Sequence, residues 1–266
     1  MIGRRGRFAL PVALALLATP LAGCSRTPTP ESSSPAATAS TTPAPTASTK
    51  SAATASTKPS ETTAGVDVSR WQRSVDWPAL WASGHRFAWI KATEGTGHRS
   101  PTWATQEAEA RQVGMLRGGY HYARPAASTG AAQARFFVAN GGGWRPDGRT
   151  LPGALDLEAS KGDGGCHGLT PARMVAWVTD FTTEYERLTG RPPVLYVRDD
   201  LWRRCAGDDT TLGRLPLWLY DHEPPMGPWP RGWKRPTVWQ RGVVGGLDRN
   251  VFLGSSEDLV AWATTP

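Results

Sequence analysis

The sequence predicts an α/β domain folded as an irregular (β/α) barrel, with eight strands and fewer than eight helices. Three observations carry that expectation. Short apolar runs recur at spacings of roughly 20 to 40 residues, the length that a crossover connection needs. Helical patterns fill several of the intervals. Nothing resembles the glycine fingerprint of a dinucleotide-binding sheet, which counts against the rival, an open doubly wound sheet.

The N-terminal part looks different from the rest. Arg4, Arg5 and Arg7 precede an apolar run from Phe8 to Leu21, which ends in Leu-Ala-Gly-Cys at Cys24. The run is short for a membrane span and small residues follow it. A basic head, a short apolar run and that tetrapeptide resemble a bacterial lipoprotein signal, in which Cys24 would be lipidated. An ordinary secretory signal with a chance cysteine is the alternative, and both place the protein outside the cytoplasm. Residues 25–64 are mostly Thr, Ser, Ala and Pro. They hold too few apolar groups to pack and read as a disordered tether with a reach of roughly 35 Å. All 13 tryptophans lie between Trp71 and Trp262, so the packed domain is expected over 65–266.

Of the formal charge of +7, three charges fall in the signal and one net charge in the tether. The domain itself is only mildly basic, which suits an anionic cell envelope and gives no ground for nucleic-acid binding. With Cys24 assigned to lipid, Cys166 and Cys205 remain. In an exported protein they suggest a disulfide worth roughly 4 kcal/mol in the loop-entropy model, with two free thiols as the alternative.

Within the domain the expected strands are 64–69, 87–92, 118–123, 153–158, 193–197, 215–220, 236–241 and 247–252. The expected helices are 78–83, 102–113, 130–140, 171–188 and 257–263. The longest helix has Thr170 placed as N-cap, Pro171 at its first position and Gly190 as C-cap.

Acids recur where a barrel keeps its active site, at the strand ends. Asp67 lies near the end of the first expected strand, Glu94 follows the second, Asp156 and Glu158 close the fourth, and Asp248 opens the last. Residues two apart on a strand project to the same side. Two nearby carboxylates resist double ionisation, so one stays protonated at higher pH and can donate to a leaving oxygen, as glycoside hydrolysis requires. A single acid at a strand end is as often a cap or an ion-pair partner; four such ends are harder to explain that way. Tyr120, Tyr122, Tyr196, Trp218, Tyr220 and Trp239 share the strands and could stack on sugar rings, although aromatics in strands usually fill cores. His85 and His121 read as structural. There is no HExxH or CxxC metal spacing, no GxSxG elbow and no P-loop, and no metal or cofactor is expected.

Seven segments, "GVDVSRWQ" (65–72), "WIKATEG" (89–95), "GGYHYARP" (118–125), "ALDLE" (154–158), "VLYV" (194–197), "PLWLY" (216–220) and "LDRNVF" (247–252), resemble glycoside hydrolase family 25 in order and spacing. These are the Chalaropsis-type lysozymes, or N-acetylmuramidases. The resemblance implies an irregular β/α barrel cutting the β-1,4 bond between N-acetylmuramic acid and N-acetylglucosamine. It implies Glu158 as general acid and Asp156 orienting the substrate N-acetyl group. It places Asp67, Glu94 and Asp248 in the catalytic groove, with Lys91, Tyr120, Tyr122, Tyr196 and Trp218 along the substrate. Some members carry a disulfide after the Asp-x-Glu pair, in agreement with Cys166 and Cys205. The expected partner is a peptidoglycan glycan strand, with membrane contact only through the lipid anchor and a monomeric chain. A catalytically silent glycan-binding barrel and a glycosidase acting on chitin-like polymers are the rival readings. Two features depart from the pattern: Arg249 between Asp248 and Asn250, and the proline-rich stretch 220–230.

Overall fold

The computed structural model describes residues 61–266; the expected signal, its Cys24 and most of the expected tether lie outside them. Among the described residues, nine strands form one sheet and six helices surround it. In chain order these are β1 (Thr63–Val68), α1 (Trp77–Ala82), β2 (His85–Glu94), β3 (His98–Arg99), α2 (Trp103–Gln112), β4 (Leu116–Tyr122), α3 (Gly130–Phe137), β5 (Ala154–Asp156), α4 (Pro171–Thr189), β6 (Val194–Val197), α5 (Asp199–Ala206), β7 (Leu217–Tyr220), β8 (Val238–Val244), β9 (Leu247–Phe252) and α6 (Ser256–Thr264).

Eight strands close a barrel in the order β1-β9-β8-β7-β6-β5-β4-β2, with β1 pairing back onto β2. The two-residue β3 hangs outside the ring as a hairpin arm on β2. The eight expected strands are therefore the eight staves. All neighbours from β1 through β2 and around to β8 run parallel, whereas β9 is antiparallel to both β8 and β1. That reversal places the start of β9, not its end, at the rim where the other strands finish.

Side-chain alternation fills the barrel in layers. Phe87, Val194, Val238 and Phe252 point inward with Leu259 and Ala263 of α6, which closes the far end. Above them Trp89 stacks on Trp218 at 4.7 Å. Gly65 makes this layer possible, because a Cβ there would sit 2.4 Å from the Phe87 ring. The opposite faces of the strands carry Ala92, Leu155, Leu195, Val197, Leu217 and Leu219 against α3, α4 and α5, and Ala88 and Ile90 against α1 and α2.

Two local expectations need correction. Thr170 occupies the N-cap position of α4, but its side chain makes no capping bond; Gly190 does close the helix, at φ 77°. The segment 199–206 was not among the expected helices, yet it forms α5, with Asp199 and Asp200 in its first turn and Arg203 and Arg204 in its last. Those charges favour the helix dipole while masking the apolar face made by Leu201, Trp202 and Cys205.

Candidate active site

The top layer of the barrel is polar. Asp67, Lys91, Glu94, Asp156, Glu158 and Asp248 share one groove of about 730 Å3, with Tyr120, Tyr122, Tyr196 and Trp218 also in its lining. The ten expected catalytic and substrate-binding residues thus meet in one place. No group of three or more His, Cys, Asp or Glu side chains among the described residues could hold a metal ion.

Asp156 is the last residue of β5, paired in register with Tyr122 on one side and Tyr196 on the other. The strand is shorter than expected, so Glu158 lies just beyond it. The Leu157 amide still bonds to the Tyr196 carbonyl at 3.0 Å, which carries the alternation on to Glu158. Asp156 is buried, whereas Glu158 is exposed at the groove mouth. Burial and the charge of Glu158 push the Asp156 carboxyl well up from its ordinary value. Desolvation by the groove walls also raises Glu158, opposed by a hydrogen bond from Tyr122 and by the charge of Lys91, and reinforced by Asp248. The Tyr122 hydroxyl donates to Glu158 Oε2 over 3.4 Å. Asp156 Oδ1 is buried with no hydrogen-bond partner, an uncommon and costly condition for a carboxylate oxygen.

Asp67, on β1, is held from two sides. Gln240 Nε2 and Asn250 Nδ2 each donate to its Oδ2 at 2.8 Å. These amides are fixed in turn: Tyr196 donates its hydroxyl to Gln240 Oε1 at 2.9 Å, and Trp218 Nε1 donates to Asn250 Oδ1 at 2.7 Å. Burial and the neighbouring Asp248 raise Asp67 to about 7 despite the two amide bonds. Desolvation raises Asp248 as well, with the nearby His222 opposing it.

Glu94 behaves in the opposite way. The register of β2 against β4 shifts between Lys91 and Thr93, and this bulge brings residues 91 and 94, three apart, onto the same side. Lys91 Nζ then lies 2.7 Å from Glu94 Oε2, and Arg124 Nε donates to Oε1 at 2.9 Å. Burial alone would raise the Glu94 carboxyl; these two cations outweigh it and bring it down to about 2. Both cations also sit over the Tyr122 ring, at 4.5 and 4.7 Å. The groove therefore holds one committed anion, Glu94, beside four carboxyls whose ionisation is disfavoured.

The aromatic expectations divide. Tyr122 and Tyr220 are partly exposed, whereas Tyr120, Tyr196 and Trp218 are buried and floor the groove with ring edges and hydroxyls. Trp239 alternates to the outside of the barrel, where its Nε1 donates to the Asp221 carbonyl. His121 is fully buried between Thr93 and Gln133, and burial lowers it to about 4. Arg249 stays out of the groove and bonds to His85 at 2.9 Å. The stretch 220–230 contributes Tyr220 and His222 to the wall and is folded around Asp221, which accepts from the amides of Glu223 and Gly227.

Sequence reasoning missed Gln240, Asn250, Arg124 and Trp71. Alternation could have found the first two, since Asn250 follows Asp248 by two residues and Gln240 follows Val238 by two. Trp71, 78% exposed at the rim, gives no such signal. The expected disulfide is present: Cys166 bonds Cys205 and so ties the loop after Glu158 to α5.

The family profile described as "Glycosyl hydrolases family 25" matches residues 66–245. The chain is 41% identical over 210 residues to an N,O-diacetylmuramidase of Chalaropsis sp, covering 76% of this chain and 100% of that protein. It is 40% identical over 207 residues to lysozyme M1 of Streptomyces globisporus, covering 75% of this chain and 70% of that one. Among solved structures, a family GH25 lysozyme from Aspergillus fumigatus superposes with a TM-score of 0.75 at 41% identity, covering 77% of this chain and 100% of that chain. The bacterial lysozyme from Streptomyces coelicolor gives 0.73 at 40% identity, covering 76% and 97%.

Proposed function

The chain belongs to glycosyl hydrolase family 25, and from that premise we infer that it is a muramidase that hydrolyses peptidoglycan with Glu158 as its general acid. The observation that carries the assignment of roles is the Asp156–Glu158 pair. Burial raises both carboxyls, and the charge of Glu158 raises Asp156 further, so ionising both at once is disfavoured.

In the free groove the deeper Asp156 is the harder to ionise. Its unpartnered Oδ1 is a ready acceptor, and the amide N–H of an N-acetyl group supplies the missing bond. That bond, with the charge of Lys91, stabilises the Asp156 carboxylate and leaves the proton on the outer member, Glu158. Glu158 then donates it to the glycosidic oxygen between N-acetylmuramic acid and N-acetylglucosamine as the bond to the anomeric carbon breaks. The acetamido oxygen oriented by Asp156 attacks that carbon from within the sugar, a neighbouring-group route known among glycosidases. Water opens the resulting ring, giving its proton to the Glu158 carboxylate and restoring the acid. Asp67 and Asp248 line the same opening, and positive charge developing on the sugar would favour their ionised forms.

The disulfide supports an extracytoplasmic location, and lipidation of Cys24 would anchor the domain through residues 25–64. The test is Glu158→Gln assayed for release of reducing ends from purified peptidoglycan. A loss of about 10²-fold or more with the folded state retained is expected; activity at the native level in this variant overturns the assignment.

A further inference from the structure

The groove carries positive charge that cleavage of an uncharged sugar chain does not use. Five carboxyls line it, and two of its cations, Lys91 and Arg124, are spent on Glu94. Arg70 and Lys161 are different. Both are exposed on the groove lining, and neither makes an ion pair with any described residue. They stand on separate walls, Arg70 on the loop after β1 and Lys161 on the loop after β5. Arg70 lies against the ring of Trp71, its guanidinium carbon 4.8 Å from the centroid, which limits the freedom of an otherwise mobile side chain and keeps its donors near the rim.

A cation at the lip of an acidic groove attracts an anion from solution but must not let it reach the floor. The polymer fits that requirement only if its negative charge is carried outside the sugar chain. In peptidoglycan the muramyl sugar bears a peptide at O3, whose free carboxylates project away from the glycan. We propose that Arg70 and Lys161 form a rim that recognises the carboxylates of the peptide stem, so that the protein prefers stem-bearing glycan with free carboxyl groups. The proposal rests on the muramidase reading and extends it to the part of the substrate that is not cut. Trp71, at 78% the most exposed large apolar side chain among the described residues, supplies a flat face beside Arg70 for the sugar or the stem backbone. Two walls with one cation each suit a polymer whose stems leave the glycan in more than one direction.

The test crosses charge on the protein with charge on the substrate. Peptidoglycan free of other wall polymers is used intact, and in a second preparation with its stem carboxyls converted to neutral amides. Wild type and the Arg70→Ala/Lys161→Ala double variant are assayed on both for KM and kcat, with thermal melts as the folding control. The wild type is expected to lose about tenfold in kcat/KM on amidation, through KM, the weight of one charge-assisted contact. The double variant is expected to show a ratio near one between the two substrates. Raised salt should erase the wild-type preference. A wild type indifferent to amidation overturns the proposal. So does a variant that keeps the wild-type ratio, or one that loses equally on both substrates. A wild type that cleaves neither substrate removes the muramidase reading itself, which is a separate failure.

Discussion

Asp67 and Asp248 face each other in register across the antiparallel pair β1–β9. Two acids in directly opposed positions repel, and a sheet would ordinarily avoid the arrangement. Here it follows from the direction of β9, the one stave that runs against its neighbours. The pairing helps to explain why Asp67, although bonded by two amides, is raised to about 7. It also gives a stability prediction with a definite sign. A carboxyl raised in the folded state contributes stability that is fully present below its unfolded value and is lost as pH rises through its folded value. The folded protein should therefore weaken between about pH 4 and about pH 7, by roughly 4 kcal/mol from Asp67 alone. Asp67→Asn keeps an oxygen to accept from Gln240 and Asn250. Urea unfolding of this variant should show a flatter profile over that interval and higher stability than the wild type at the alkaline end.

Glu94 neutralises Lys91 and Arg124, and both cations lower Glu158. In Glu94→Gln the two positive charges stand uncompensated beside the acid. The Glu158 carboxyl should then ionise at lower pH. A general acid works only while protonated, so the alkaline limb of the pH–kcat profile should move down by about one unit. Activity near neutral pH falls while the acidic limb rises relative to it. An unmoved alkaline limb would mean that the titrating acid is elsewhere.

The strands and their acids were legible in the sequence because a buried stave is a short apolar run, and a carboxylate in such a run stands out. Asp156 and Glu158 could be placed on one side from spacing alone. Glu94 could not, since only the bulge between Lys91 and Thr93 turns it into the groove, and no residue type announces a bulge. Gln240 was overlooked because the aromatic beside it, Trp239, drew the reading; alternation with Val238 puts the glutamine inside and the tryptophan outside. Helix α5 was hidden by its own capping charges, which make "DDLWRRCA" look like a surface loop. Trp71 is an exposed loop residue whose importance depends on which strand end lies beside it, and that is a property of barrel closure and not of local sequence.

Tyr122 should move the same titration in the opposite direction. Its hydroxyl donates to Glu158 Oε2 and so favours the charged form. Tyr122→Phe removes that bond while keeping a ring beneath Lys91 and Arg124. Because the bond is long, at 3.4 Å, the effect should be small: the alkaline limb should rise by roughly half a unit. Together with Glu94→Gln this makes a pair of opposite shifts on one proton, read by the same pH–rate measurement. Two shifts of the same sign would be inconsistent with Glu158 as the group observed.

The disulfide bears on the acid through the chain between them. Cys166 neighbours His167, whose Nε2 bonds the Glu158 carbonyl at 2.9 Å and whose amide donates to Ser160 Oγ. Cys205 is fixed in the core by α5, packed with Leu201 and Trp202. The bridge thus pins the far end of the loop that begins at Glu158 and closes a segment of sequence separation 39. Loss of that constraint should cost roughly 4 kcal/mol in the loop-entropy model, a drop in Tm of roughly 10 °C for a domain of this size. Cys166→Ser should give that drop, and Cys205→Ser and the double variant at least as large a one, because each also puts a hydroxyl at the buried Cys205 position. The loop keeps the His167 contacts and the bond from Arg204 Nε to the Gly164 carbonyl at 2.9 Å. Below the new Tm, kcat should accordingly fall far less than in Glu158→Gln. A melting temperature unchanged by all three variants would show that these hydrogen bonds hold the loop without the bridge.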